Sequence, residues 1–267
     1  MMVTWEQFIY FAIAAVLLWA VGAWSAWREK TVMAYTSTIV GLVVFFSFIL
    51  MMWISLERPP LRTMGETRLW YSFFLPLVGI IVYSRWRYKW ILSFSTVLAL
   101  VFICINLFKP EIHSKALMPA LQSPWFAPHV IVYMFAYAVF GVATLMALWM
   151  LIKDRNHNYQ LSIINYQLDD LVYVGLAFMT IGMLFGALWA KVAWGHYWSW
   201  DPKETWAAIT WFAYLVYVHY RQIPTHKPKL ALWVLLISFV LLQMCWWGIN
   251  YLPAAQGSSV HVYSMPS

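Results

Sequence analysis

Three of the seven histidines stand where an imidazole could meet a bound ligand. His129 opens an apolar run directly after "SPWFAP", and His261 lies in the terminal "AQGSSVHVYS". Between them the chain carries "WGHYWSWDPKETW", where Trp194, Trp198, Trp200 and Trp206 crowd together with His196 and Tyr197. If this segment is helical, Trp194 and Trp198 share a face; if it is extended, Trp198 and Trp200 do. Either way, two or more indoles offer a flat apolar shelf suited to a large planar ligand, with Lys191 or Lys203 near for its anionic groups. Two neutral imidazoles flanking such a shelf match what a haem iron takes as axial ligands, and His129 and His261 are the candidates. A plainer reading stays open, in which the indoles form an interfacial belt and the histidines face water. His219 differs from both, because it sits inside the apolar "WFAYLVYVHYR". It follows Glu204 by about fifteen residues, which is roughly 22 Å of helix, so it is expected in the inner leaflet. An ionisable side chain at that depth is a functional candidate.

The elements that must hold these residues are membrane helices. The chain is 63% hydrophobic and 10% charged, with a mean hydropathy of +0.68. Soluble domains carry about 25% charged residues. About eight spans are expected, over 6–26, 32–54, 70–84, 90–108, 129–152, 170–190, 205–221 and 230–251, the third being the shortest. The fold class is therefore an all-α integral membrane protein. A four-helix membrane region with an outer loop is expected over 1–124, and a second four-helix region over 125–267. The first run ends in "AWSAWREK" without a small-residue cleavage site, and is expected to be a retained helix. "DPKE" reads as a helix start, with Asp201 as N-cap, Pro202 at N1 and Glu204 closing a capping box. That does not exclude a second role for Asp201 in setting the turn of the tryptophan cluster.

Charge suggests an orientation. Arg28, Lys30, Arg85, Arg87, Lys89, Lys153, Arg155, Arg221, Lys227 and Lys229 fall on one side of the alternating spans, and the other seven of the 17 cations fall opposite. The larger set occupies short loops such as "WREK" and "SRWRYK", which marks that side as cytoplasmic. Both termini, the tryptophan cluster, His113, His129, His196 and His261 are then expected on the outer face. The net charge of +7 is explained by these loops, so no nucleic-acid partner is expected. Cys104 and Cys245 lie far apart without a C-x-x-C, which argues against thiol exchange by this chain.

"WGHYWSWDPKETWAAITW" resembles the WWD motif of haem-handling proteins of cytochrome c maturation, in the form found in the CcsA/ResC family of System II. "PHVIVYMFAYAVFG", "WFAYLVYVHYR" and "GINYLPAAQGSSVHVYS" resemble that family's first external, membrane-embedded and second external histidine segments. Together these segments cover roughly residues 125–265. The resemblance implies that haem b is received from the cytoplasmic side at a membrane site that includes His219. It is then held outside between axial His129 and His261, with Trp194, Trp198, Trp200 and Trp206 lining the porphyrin and Asp201 fixing the register. Thioether bonds to an apocytochrome c with a CxxCH motif would form there, by alignment of reactive edges rather than strong acid–base chemistry. The family's inner site uses two histidines and this chain supplies one, so a separate ResB/CcsB-like membrane subunit is the implied partner. The resemblance points to a multi-pass protein of a bacterial cytoplasmic membrane with a periplasmic active face, ahead of a thylakoid membrane. It leaves open a haem exporter or delivery protein without ligation activity, similar to CcmC. His113 and His157 receive no role, and His196 either competes as a ligand or faces water.

Overall fold

The computed structural model describes residues 4–109, 123–153 and 159–252, with side chains undescribed over 153–165 and at 250. Among these residues every regular element is helical. The chain divides into two compact units, Met1–Leu117 and Met118–Ser267.

The first unit holds α1 (Phe8–Trp27), α2 (Thr31–Leu56), α3 (Met64–Trp86) and α4 (Lys89–Phe108). α1 packs against α2 and α4, and α3 packs against α4. Its core is aromatic: Trp19 and Phe45 lie 5.4 Å apart, Phe8 and Phe48 5.1 Å apart, and all four are fully buried. Hydroxyls within the spans donate back along their own helices, as in Thr38 to the Ala34 carbonyl (2.7 Å) and Thr96 to the Leu92 carbonyl (2.7 Å). This satisfies groups that lipid cannot.

α3 starts at Met64, six residues before the expected span, because polar residues build its first turn. Thr63 and Glu66 form a capping box. The buried Glu66 also pairs with Arg58 at 2.9 Å and accepts from the Arg62 backbone at 2.6 Å. A hydropathy window cannot see a helix turn made of neutralised charges.

The second unit holds α5 (Phe126–Lys153), α6 (Tyr159–Trp194), α7 (Pro202–Gln222) and α8 (Pro228–Trp246), then a 3-10 turn at Gly248–Tyr251. α5 packs against α6 and α8, while α7 packs against α8 and α6. α5 is the spine, with 78% of its most apolar window buried against 28% for α6. α6 runs for 36 residues, about 54 Å, well beyond the expected 170–190, since its polar N-terminal turns continue the same helix.

Glycines set the fit of α5 on α6. A Cβ at Gly175 would lie 2.7 Å from Phe140, at Gly182 3.1 Å from Tyr133, and at Gly186 2.8 Å from His129. The rings of 129, 133 and 140 thus mesh with glycines 186, 182 and 175, the intervals of four and then seven residues running in opposite directions. This is an antiparallel pair locked in one register, with rings lying where α6 has no side chains.

The protein is an all-helical, multi-pass membrane protein. Seven of its long helices are apolar and long enough to cross a bilayer, counting over the described residues. α7, at 21 residues, is long enough but is not among them. Lys203, Glu204, His219, Arg221 and several tyrosines and tryptophans dilute it, so the expected set of eight apolar spans becomes seven plus one more polar helix.

A Cβ on Gly41 would lie 2.7 Å from the indole of fully buried Trp19. Gly41→Ala is expected to cost about 1–3 kcal/mol through overpacking. Thermal unfolding of the detergent-solubilised chain checks this, and an unchanged transition would contradict it.

Candidate functional site

His129 lies in the first turn of α5, half-buried against α6. Its Nδ1 is 2.8 Å from the Gly182 carbonyl oxygen. A carbonyl can only accept, so Nδ1 carries the hydrogen, and in the neutral ring Nε2 carries the lone pair. Tyr133 stands edge-on to the imidazole at 4.6 Å, and Trp189 lies tilted over it at 5.5 Å. Trp189 in turn meets Trp194 at 4.9 Å. A ring series therefore runs from His129 through buried Trp189 to the end of α6, where the tryptophan segment begins.

That segment is neither helix nor strand. α6 ends at Trp194, and Gly195 turns the chain at a φ of +86°, which a side chain would resist. Lys191 donates to the Gly195 carbonyl at 2.7 Å and lies over the Tyr197 ring. Trp200 also adopts a left-handed backbone, at a φ of +58°. Trp198 and Trp200 meet edge to face, 5.6 Å apart at 83°, so they make a corner rather than a flat shelf. Trp200 is 67% exposed, whereas the buried Nε1 of Trp198 has no hydrogen-bond acceptor among the described residues.

The segment is tied down by one carboxylate. Asp201 caps α7 by accepting from the Glu204 backbone at 2.8 Å, as the sequence suggested. Glu204 does more than close the box. Its Oε2 accepts from Ser199 N at 2.7 Å, Ser199 Oγ at 3.2 Å and Asp201 N at 3.3 Å. This buried side chain gathers the polar groups of Ser199 and the Asp201 amide at the end of the loop.

The other expected residues are distributed around this geometry. Trp206 stands one turn into α7, half-buried, and makes no ring contact with the other three tryptophans among the described residues. His196 is exposed. The backbone carbonyl of Lys203 accepts from the Cys245 thiol at 3.8 Å. His219 sits in the last turn of α7 and is exposed, on a stripe with Ile209, Phe212 and Val216. His261, His113 and His157 lie outside the described residues. The structure thus links His129 to Trp194, and separately pairs Trp198 with Trp200.

Behind His219 stands a network that sequence reasoning missed. Asp169 of α6 takes a bidentate contact from Arg221 of α7, with Nη2 at 2.7 Å and Nε at 2.9 Å, and accepts from the Tyr217 hydroxyl at 2.7 Å. Arg221 also donates to His226 Nε2 at 2.6 Å, while His226 Nδ1–H donates to the Ile223 carbonyl. Tyr217 and Arg221 are one turn apart, which is the only signal a sequence offers for this cluster. Trp189, Gly182 and Gly186 were also missed, though the i, i+4 spacings of His129–Tyr133 and Gly182–Gly186 carry the pattern.

With this geometry in view, kinship becomes informative. The family profile described as "Cytochrome C assembly protein" matches residues 64–255, from the start of α3 past the end of α8. The chain belongs to the cytochrome c assembly protein family. Within it the chain falls in the CcsA/ResC branch. It is 26% identical to the cytochrome c biogenesis protein CcsA of Marchantia polymorpha, over 97% of this chain and 91% of that one. It is 32% identical to CcsA of Nicotiana tomentosiformis over 90% of this chain and 89% of that one. For CcsA of Synechococcus sp. (strain CC9605) the identity is 30%, over 84% of each chain. The likeness therefore extends well before the segments at 125–265 that carried the resemblance. A role in cytochrome c biogenesis follows from this membership.

Two outcomes follow for this region. Glu204→Ala strands the Ser199 and Asp201 amides and is expected to cost about 1–3 kcal/mol. It should speed hydrogen exchange and proteolysis within 195–201, with Glu204→Gln milder; an unchanged rate would refute the clamp. Asp169→Ala leaves a part-buried arginine without its counter-charge and the Tyr217 hydroxyl without its acceptor, and is expected to cost about 1.5–3 kcal/mol. Pairing it with Arg221→Met should recover part of the loss in the same unfolding assay.

Proposed function

We propose that this protein is the haem-handling subunit of a cytochrome c synthase. It carries haem b to the outer face of its membrane and presents it there to apocytochromes with a CxxCH motif. The observation that carries this reading is the seat of His129. Its imidazole is held by a backbone carbonyl in the tautomer that leaves Nε2 as the ligating nitrogen, at the end of a ring series leading to the tryptophan loop. Metal-binding histidines are characteristically oriented by such a bond from their other nitrogen. The buried indole N–H of Trp198, which lacks an acceptor among the described residues, suits a ligand that brings one.

In this reading haem is the substrate. His129 and His261 supply the two axial nitrogens on the outer face, and Trp194, Trp198, Trp200 and Trp206 surround the porphyrin edge. Asp201 and Glu204 hold the loop in shape. Each cysteine S–H of the apocytochrome adds across one vinyl C=C, sulfur to one carbon and hydrogen to the other, with no leaving group. The chain's contribution is to hold vinyl and thiol in register. His219, a polar group on an otherwise apolar exposed stripe of α7, marks the inner haem site. A ResB/CcsB-like subunit covers that stripe and supplies the second histidine. The tryptophan loop and both termini face the periplasm of a bacterial cytoplasmic membrane, or the equivalent side of a thylakoid membrane.

The test is the visible spectrum of the protein purified with its ResB-like subunit. Wild type is expected to show reduced bis-histidine haem bands, and His129→Ala and His261→Ala to shift or abolish them. Bands that survive both substitutions unchanged would return the tryptophans to an interfacial belt. Co-expression of the two subunits with an apocytochrome, in cells lacking other maturation genes, should yield covalent haem. Haem binding without attachment would instead identify a delivery protein.

A further inference from the structure

The contact between α5 and α6 changes character at its outer end. At Gly175 and Gly182 the rings of Phe140 and Tyr133 occupy the space that a side chain would fill, and these are contacts between carbon atoms. At Gly186 the occupant is His129, and there the ring also bonds the backbone, through Nδ1 to the Gly182 carbonyl. Helix carbonyls point along the axis toward the residue four positions on. A ring can reach the Gly182 oxygen from the side only if residue 186 has no Cβ in the way. A Cβ on Gly186 would come within 2.8 Å of His129 Cε1 and 2.9 Å of Nδ1. Tyr133, edge-on at 81°, and Trp189, tilted by 34°, bound the ring from other directions.

We infer that Gly186, together with the Gly182 carbonyl, is a positioning element of the outer haem site: it presets His129 as an Nε2 ligand before haem arrives. This rests on the reading of His129 as an iron ligand. The seat is specific in chemistry as well as shape. A backbone carbonyl accepts one hydrogen from Nδ1 and cannot give one, so it selects the neutral tautomer with its lone pair on Nε2. It also removes rotation about the side-chain torsions, so the nitrogen is already aimed when the ligand binds. An alanine at 186 keeps the helix and the apolar surface but closes the approach to the carbonyl.

The test uses the full-length chain labelled with 15N-histidine, prepared in haem-deficient cells, with His129→Gln identifying the His129 signals. In wild type His129 is expected to be protonated at Nδ1. Gly186→Ala is expected to lose that signature and, when haem is supplied, to hold it roughly 10–100-fold more weakly, the usual range for residues that orient a metal ligand. Gly175→Ala is the packing control: it crowds Phe140 on the same helix face and is expected to keep both the tautomer and the haem. Three results would overturn the inference. These are His129 protonated at Nε2 in wild type, Gly186→Ala indistinguishable from wild type, or Gly175→Ala matching the losses of Gly186→Ala. A His129→Ala protein that retains the wild-type haem bands would instead refute the ligand assignment itself, so the two failures are read on different measurements.

Discussion

The register of α5 on α6 is the constraint on which the second unit depends. Three glycines leave three places where α6 has only backbone, and in each place a ring from α5 lies. A shift by a single residue would drive rings into side chains along the whole contact, so the pairing has one acceptable alignment. In lipid, where helix association gains little from hydrophobic burial, close backbone approach of this kind is a main source of attraction. The same alignment brings His129 under Trp189 and starts the tryptophan loop one turn beyond. Packing and site geometry are set by one fit.

The loop that follows faces a different problem. It leaves the helix, crosses through two left-handed residues and enters α7 within seven positions, so beyond Gly195, whose amide still donates to the Lys191 carbonyl, its amides lie outside the helical ladders. Glu204 answers two of them, those of Ser199 and Asp201, and takes the Ser199 hydroxyl as well. The first unit repeats the device at the start of α3, where Glu66 gathers the Arg62 and Thr63 amides. In each unit a helix begins with a buried carboxylate three residues inside its cap.

Much of this could be read from residue order. Apolar run lengths give the helices, and Asp201-Pro202-Lys203-Glu204 gives the start of α7, because a cap acts within four residues. The true starts of α3 and α6 could not be read from hydropathy, since both begin with polar turns. The seat of His129 was hidden for another reason. Gly182 and Gly186 stand more than fifty residues from it, and only the antiparallel register brings them together. Trp189 reads as one more interfacial indole until it is found between His129 and Trp194. Asp169 and Arg221 are likewise 52 residues apart, and neither looks paired in the sequence.

The Asp169–Arg221 pair bears on how α7 is held beside its neighbour. Among the described residues α7 is the one long helix that is not apolar enough by composition to count as a membrane span, and Arg221 lies near its end. An arginine near a helix end can carry its charge toward the interface, where its cost is small. With Asp169 of the preceding helix in contact, the charge is cancelled and Tyr217 is satisfied in the same step. α6 and α7 are therefore tied together by an ion pair as well as by packing. A helix that is only weakly apolar by composition is thereby fastened to its neighbour through charge.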